Sequence, residues 1–251
     1  MVELKNVGKR YGKTVEALSD INLSIGQGEI IGLFGENGAG KTTLMKCILG
    51  FLGHTGEILL DGEPIDRSNI ARLSFGTCEF SFFPELTAME HADFYADHFP
   101  KFRKERFRGL IEFFEFPAYR PIKNLSMGQK SQIEVILALS QGADYIFLDE
   151  PFVGHDIFNR EDFYKVLLGI LEPTETIILS THLIEEVEGF IDRAVMIHKG
   201  KIIGDVQVAD IEENGDTLVE YVKKLYGYES DRVSRSLELI TGEKAKRKSE
   251  E

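Results

Sequence analysis

Apolar residues recur at every second position through Ile21, Leu23 and Ile25, and Gly26-Gln27-Gly28 follows as a turn. That period predicts a strand with one buried face. The next run, Glu29-Ile30-Ile31-Gly32-Leu33-Phe34, does not alternate and predicts a strand buried on both faces. Beyond a cluster of glycines, Leu44, Ile48 and Leu49 fall on one side of a helix over 42–49, and Gly50 can close it. Ile58-Leu59-Leu60 ahead of Asp61-Gly62 reads as a strand ending in a tight turn. The character then changes. From 88 to 116 the chain is aromatic-rich and charged, with Phe94, Tyr95, Phe99, Phe107, Phe113 and Phe114 between Pro100 and Pro117 or just ahead of them. This stretch predicts a helical insertion, extending to about residue 120.

Further on, Ile133, Ile136 and Leu137 face inward on a helix over 128–139. A short apolar strand over 145–148, a helix over 158–171 and a strand over 176–179 follow. Two strands, 194–198 and 201–204, flank Lys199-Gly200 as a hairpin. Strands alternating with helices predict an α/β core with a largely parallel sheet. The end of the chain, Lys244 to Glu251, is a run of charges that predicts a solvated tail.

The 251 residues carry a net charge of −13, which repels phosphate backbones, so no nucleic-acid partner is expected. No run of 18 apolar residues occurs and the first residues do not resemble a signal peptide, so a soluble cytosolic protein is expected. Cys47 and Cys78 are too few for a disulfide framework and read as buried thiols. His54, His91, His98 and His198 show no ligand spacing and read as surface or hairpin residues.

Gly35-Glu36-Asn37-Gly38-Ala39-Gly40-Lys41-Thr42 matches G-x-x-x-x-G-K-[ST] between an apolar strand and a helix, the setting that motif requires. Its glycines let successive backbone N–H groups curl into an anion nest, and the following helix points its positive end at the same place. Lys41 supplies a mobile charge for β- and γ-phosphates, and Thr42 offers a hydroxyl to Mg²⁺. Tyr145 to Leu148 delivers Asp149 and Glu150 at a strand's C-terminal end, where ligands sit in open α/β sheets. Asp149 can hold Mg²⁺ through water, and Glu150 can orient or deprotonate an attacking water. The motifs point to a nucleoside triphosphate and Mg²⁺.

Leu125-Ser126-Met127-Gly128-Gln129 lies 23 residues ahead of Asp149, just before a helix. Ser126 and Gln129 would serve equally as a helix capping box, but that does not account for Gly128 or for the order of the motifs. With the three motifs in this order, the chain resembles the ATP-binding subunit of an ABC transporter, over a span from Tyr11 to about Gly204. The resemblance implies a P-loop NTPase core of RecA-like type, with a small β subdomain and an inserted helical subdomain. It implies an ATPase domain over 1–205, with the insertion at about 88–120, and a short C-terminal extension over 206–251.

Other positions follow the same resemblance. Tyr11 stands where an aromatic stacks on adenine, although it also suits a plain strand end. The nucleotide-binding set implied is Tyr11, Gly35, Glu36, Asn37, Gly38, Ala39, Gly40, Lys41, Thr42, Thr43, Ser126, Gly128 and Gln129. Glu150 and His182 are the implied catalytic pair, and Asp156 falls in the loop that touches an opposing subunit. Thr42, Asp149 and Glu79 are the implied Mg²⁺ residues. Where the family usually carries Gln, Gly76-Thr77-Cys78-Glu79-Phe80 has none, and either Glu79 or Cys78 takes its place. His155 replaces a usual Leu, and Met127 a usual Gly.

With one phosphate loop and one signature, Leu125 to Gln129, per chain, the resemblance implies a pair of subunits, identical or related, that sandwich ATP. It also implies separate transmembrane permease subunits, seated on the helical insertion, that hold the protein at the cytoplasmic face of the membrane. The sequence around Ser180 to Glu188 is similar to export-type ATPases. A soluble ABC-type ATPase acting in a cytosolic complex is the alternative.

Overall fold

A computed structural model describes residues 1–77, 82–151 and 157–226, with the backbone alone at 157–161 and at Glu186. Cys78, Glu79, His155, Asp156 and the charged run at 244–251 lie outside the described residues.

Two sheets share the described chain. The smaller is antiparallel, in the order β2 (Val15–Ile25), β1 (Val2–Tyr11), β4 (Thr55–Leu60) and β5 (Glu63–Pro64). The larger has the order β10 (Lys201–Gln207), β9 (Arg193–His198), β3 (Ile30–Phe34), β8 (Thr176–Thr181), β7 (Tyr145–Asp149) and β6 (Leu73–Gly76). Its strands pair in parallel except for β10, which closes the predicted hairpin against β9.

The buried strands use their period of two to feed two cores at once. Ile31, Leu33, Tyr145, Phe147, Ile178, Val195 and Ile197 face a core shared with the small sheet and α1 (Lys41–Ile48). Ile30, Phe34, Ile146, Leu148, Ile177, Leu179, Ala194 and Met196 face the opposite core. There they meet α4 (Met127–Ser140), α5 (Ile157–Ile170) and the aromatic-rich helices α2 (Ala88–His98) and α3 (Lys104–Phe113). A strand with both faces covered has no polar side to show, so its sequence reads as a continuous apolar run.

The segment 88–116 forms two helices, divided at Pro100, which lacks the N–H a helix interior needs. Four elements beyond the periodic runs also appear: β6, α6 (Ile184–Val187), α7 (Val208–Glu213) and α8 (Leu218–Leu225). Val208, Ile211, Leu218 and Val222 carry α7 and α8 onto the second core. Among the described residues no helix is long and apolar enough to cross a membrane.

His91 departs from its surface assignment. It is 2% exposed, with Nδ1 2.8 Å from the Thr87 carbonyl, and its Nε2 accepts the Phe83 N–H at 3.2 Å. Its burial fastens the start of α2 to the preceding loop. A single histidine inside an aromatic run carries no period that would betray this. His54 and His98 are exposed, and His198 is half-buried.

Candidate active site

At the end of β3 the chain leaves the sheet at Gly35. A Cβ here would stand 2.4 Å from the Ile197 carbonyl oxygen, so only glycine fits. The loop crest, Asn37-Gly38, is exposed, while Ala39 is buried beneath it. Gly40, with φ of 115°, turns the chain into α1. Lys41 folds back under the loop. Its Nζ donates to the Gly35 carbonyl at 2.7 Å and to the Glu36 carbonyl at 3.4 Å, with the side chain 7% exposed. A glycine-rich loop, a helix N-terminus and one buried ammonium thus lie together, which is the chemistry of a polyphosphate site.

Behind the loop, strand pairing brings β7 and β8 alongside. Thr42 donates its hydroxyl to Asp149 Oδ2 at 2.7 Å, and Ser180 donates to Asp149 Oδ1 at 2.5 Å. Asp149 is buried, and both its oxygens are oriented by hydroxyls. A carboxylate and a hydroxyl set side by side are hard oxygen donors of the kind Mg²⁺ selects, so these residues fit that ion.

Glu150 takes up a left-handed backbone, φ 48°, which side chains adopt only when their surroundings compel it. Ser180 supplies the compulsion, because the Glu150 N–H donates to both its carbonyl (3.1 Å) and its hydroxyl (3.0 Å). The turn sets the Glu150 carboxylate 3.2 Å from His182 Nδ1 and 3.6 Å from Lys41 Nζ. Ser180 therefore orients both acids. The sequence alone gives Ser180 no role, because the signal lies in the pairing of Asp149 with Ser180 across β7 and β8.

Tyr11 ends β1 beside α1, its hydroxyl 3.4 Å from Thr43 Oγ1 and its ring 43% exposed. The structure thus gathers Tyr11, Gly35 to Thr43, Asp149, Glu150 and His182 at one end of the large sheet.

Ser126, Gly128 and Gln129 lie elsewhere. Ser126 caps α4, accepting the Gln129 N–H at 3.2 Å, and Gln129 Oε1 accepts the Ser126 N–H at 3.0 Å. α4 runs antiparallel to β6, since Gln141 bonds the Leu73 carbonyl while Glu134 lies against Gly76. Ser126 thus stands eight residues, ~12 Å of helix, beyond Glu134. β6 itself is three strand spacings, ~14 Å, from β3. Ser126 is exposed and stands well apart from Lys41 of its own chain.

A family model described as "ABC transporter" matches residues 18–153, more than half of the chain. The chain belongs to the ABC transporter family. It is 31% identical over 217 residues to the ABC transporter ATP-binding protein NatA of Bacillus subtilis, covering 81% of this chain and 88% of that protein. It is also 31% identical to the lipopolysaccharide export system ATP-binding protein LptB of Haemophilus influenzae, over 88% of this chain and 95% of that one. Among solved structures, it is similar to a dimeric ATP-binding cassette in a post-hydrolysis state bound to ADP and Pi. That match has a TM-score of 0.71 and 25% identity, and covers 82% of this chain and 98% of the other. This ABC protein is thus an ATP-binding subunit and an ATPase, with the P-loop NTPase fold of the ABC type.

Proposed function

We propose that the chain is one of a pair of subunits that hydrolyse ATP between them and so drive separate transmembrane permease subunits. One observation carries this reading: the convergence of Lys41, Asp149, Glu150 and His182 on the phosphate loop. In it, Gly35 to Thr43 hold the phosphates and Tyr11 stacks on the adenine. Thr42 and Asp149 hold Mg²⁺, with Glu79, outside the described residues, as the third member. Bound there, Mg²⁺ supplies positive charge to the β- and γ-phosphate oxygens.

Glu150 takes the proton of the attacking water as its oxygen bonds to the γ-phosphorus, while the bond to the β-γ bridging oxygen breaks to leave ADP. His182, paired with Glu150, contacts the γ-phosphate. Exposed Ser126, well apart from its own Lys41, supports a composite site, in which Ser126, Gly128 and Gln129 of a second subunit cap the γ-phosphate through a hydroxyl and a helix N-terminus. Loss of that phosphate opens the pair, a population shift driven by differential binding.

The export reading is supported by LptB, named for an export system. A permease seat on the helical insertion is supported by exposed Phe83 and Phe94, whose rings lie 5.6 Å apart, and by nearly bare Tyr119. A permease so seated holds the protein at the cytoplasmic face of the membrane. Similarity to proteins named for transport and export favours transport over the alternative of a soluble complex.

Glu150→Gln keeps the shape and removes the base. Single-turnover hydrolysis is expected to fall about 10²–10⁴-fold with ATP binding retained. An unchanged rate removes Glu150 from the mechanism.

A further inference from the structure

The turn that closes α8 reaches the strand backing the phosphate loop. Tyr226 donates its hydroxyl to the Ile197 carbonyl at 3.1 Å, and its ring meets His198 edge-on, with centroids 5.3 Å apart. Ile197 lies one residue past the last β3–β9 pair, Phe34 with Met196, and so stands beside Gly35 where β3 becomes the loop. Its carbonyl oxygen is 2.4 Å from where a Gly35 Cβ would be, and its Cδ1 is 3.3 Å from a Gly40 Cβ. One residue of β9 therefore underlies both ends of the loop.

The hairpin tip makes a further tie. Gly200 N–H donates to the Ala39 carbonyl at 2.9 Å, and the Gly200 carbonyl accepts from Ser19 at 2.8 Å. Tyr226 also lines a cavity of about 290 Å³ together with Phe34, Gly35, Glu36, His182 and Val222. Burial, with the Glu36 charge added, pushes the Tyr226 phenol above its ordinary pKa, so it remains a hydrogen-bond donor at neutral pH.

We infer that Tyr226 is a positioning residue for nucleotide binding, which holds the phosphate loop in its anion-cradling curvature through the Ile197 carbonyl. The inference rests on the reading of Gly35 to Thr43 as the phosphate site. A loop already curved binds phosphate without the cost of being ordered, whereas a slack one charges that cost to the ligand. The effect belongs to binding alone. Once nucleotide has drawn the loop into shape, Lys41, Glu150 and His182 stand where they did, and the chemical step proceeds unaltered. Because coupling is reciprocal, α8 becomes a handle on ATP affinity, and bound ATP in turn steadies α8.

Tyr226→Phe removes one oxygen and leaves the ring against His198. Titration with a non-hydrolysable ATP analogue in Mg²⁺ is expected to give a ~3- to 10-fold higher Kd, the worth of one hydrogen bond. The kcat at saturating ATP is expected to match the parent, and the Tm to fall by no more than about 2–4 °C, the loss of one hydrogen bond. A parental Kd overturns the inference, and so does a Kd that rises only in step with a fall in kcat and a larger fall in Tm, since that is a merely structural effect. Lys41→Ala separates the two claims. If it weakens binding while Tyr226→Phe binds like the parent, the inference fails and the phosphate site stands. If Lys41→Ala binds like the parent, the phosphate-site reading fails and takes the inference with it.

Discussion

Lys41 shows how little of a site is the residue itself. Its ammonium is held under the loop by two backbone carbonyls and faced by Glu150. Lys41→Ala is expected to weaken Mg-ATP binding about 10- to 100-fold by calorimetric titration, the worth of a lost charge-assisted hydrogen bond or two. Affinity equal to the parent would show that the loop does not cradle phosphate. Lys41, Thr42, Asp149 and Glu150 were legible in the sequence because consecutive residues in a fixed spacing carry their chemistry. Ser180 and Ile197 were not. Ser180 acts because β8 lies beside β7, and Ile197 because β9 ends beside Gly35, and neither neighbourhood is written in any local period.

At the scale of elements, the buried strands and the helices over 42–49 and 128–139 were legible because each feeds a core with a regular apolar face. β6 and α8 were not. β6, Leu73–Gly76, is a short strand that takes its meaning from β7, and α8 lies beyond the last strand that the pattern marks. What fastens α3 to the core was equally hidden, since an ion pair 69 residues apart in sequence has no period. Arg106 forks onto both oxygens of Glu175 at 2.9 Å, and also donates to the Leu139 and Ile170 carbonyls at 2.9 and 2.5 Å. Their side chains are 8% and 2% exposed, so neither charge can turn to water instead. Arg106→Ala is expected to destabilise the protein by about 3–5 kcal/mol in urea unfolding, by stripping buried Glu175 of its closest partner. Arg106→Lys should recover little, because a single ammonium cannot reproduce the planar fork. A stability near the parent's for Arg106→Ala would show that Arg103, 3.2 Å from Glu175, and the Glu172 N–H, 2.9 Å from it, suffice.

For the whole molecule, one fact outweighs the rest: the phosphate loop and the signature of one chain stand apart, three strands from each other. The signature caps α4, which packs on β6, three strands from β3, and its hydrogen bonds are satisfied internally by Ser126 and Gln129. A site needing both must borrow one from another chain, with ATP as the joint. The most direct test is the mass in solution of the Glu150→Gln protein, by sedimentation or light scattering, with and without Mg-ATP. The account predicts a shift from monomer toward dimer on adding Mg-ATP. It predicts that adding Ser126→Arg, a bulky cation at the cap and remote from Lys41, abolishes the shift while ATP binding persists. Dimerisation independent of ATP, or normal dimerisation of the Ser126→Arg protein, would contradict it.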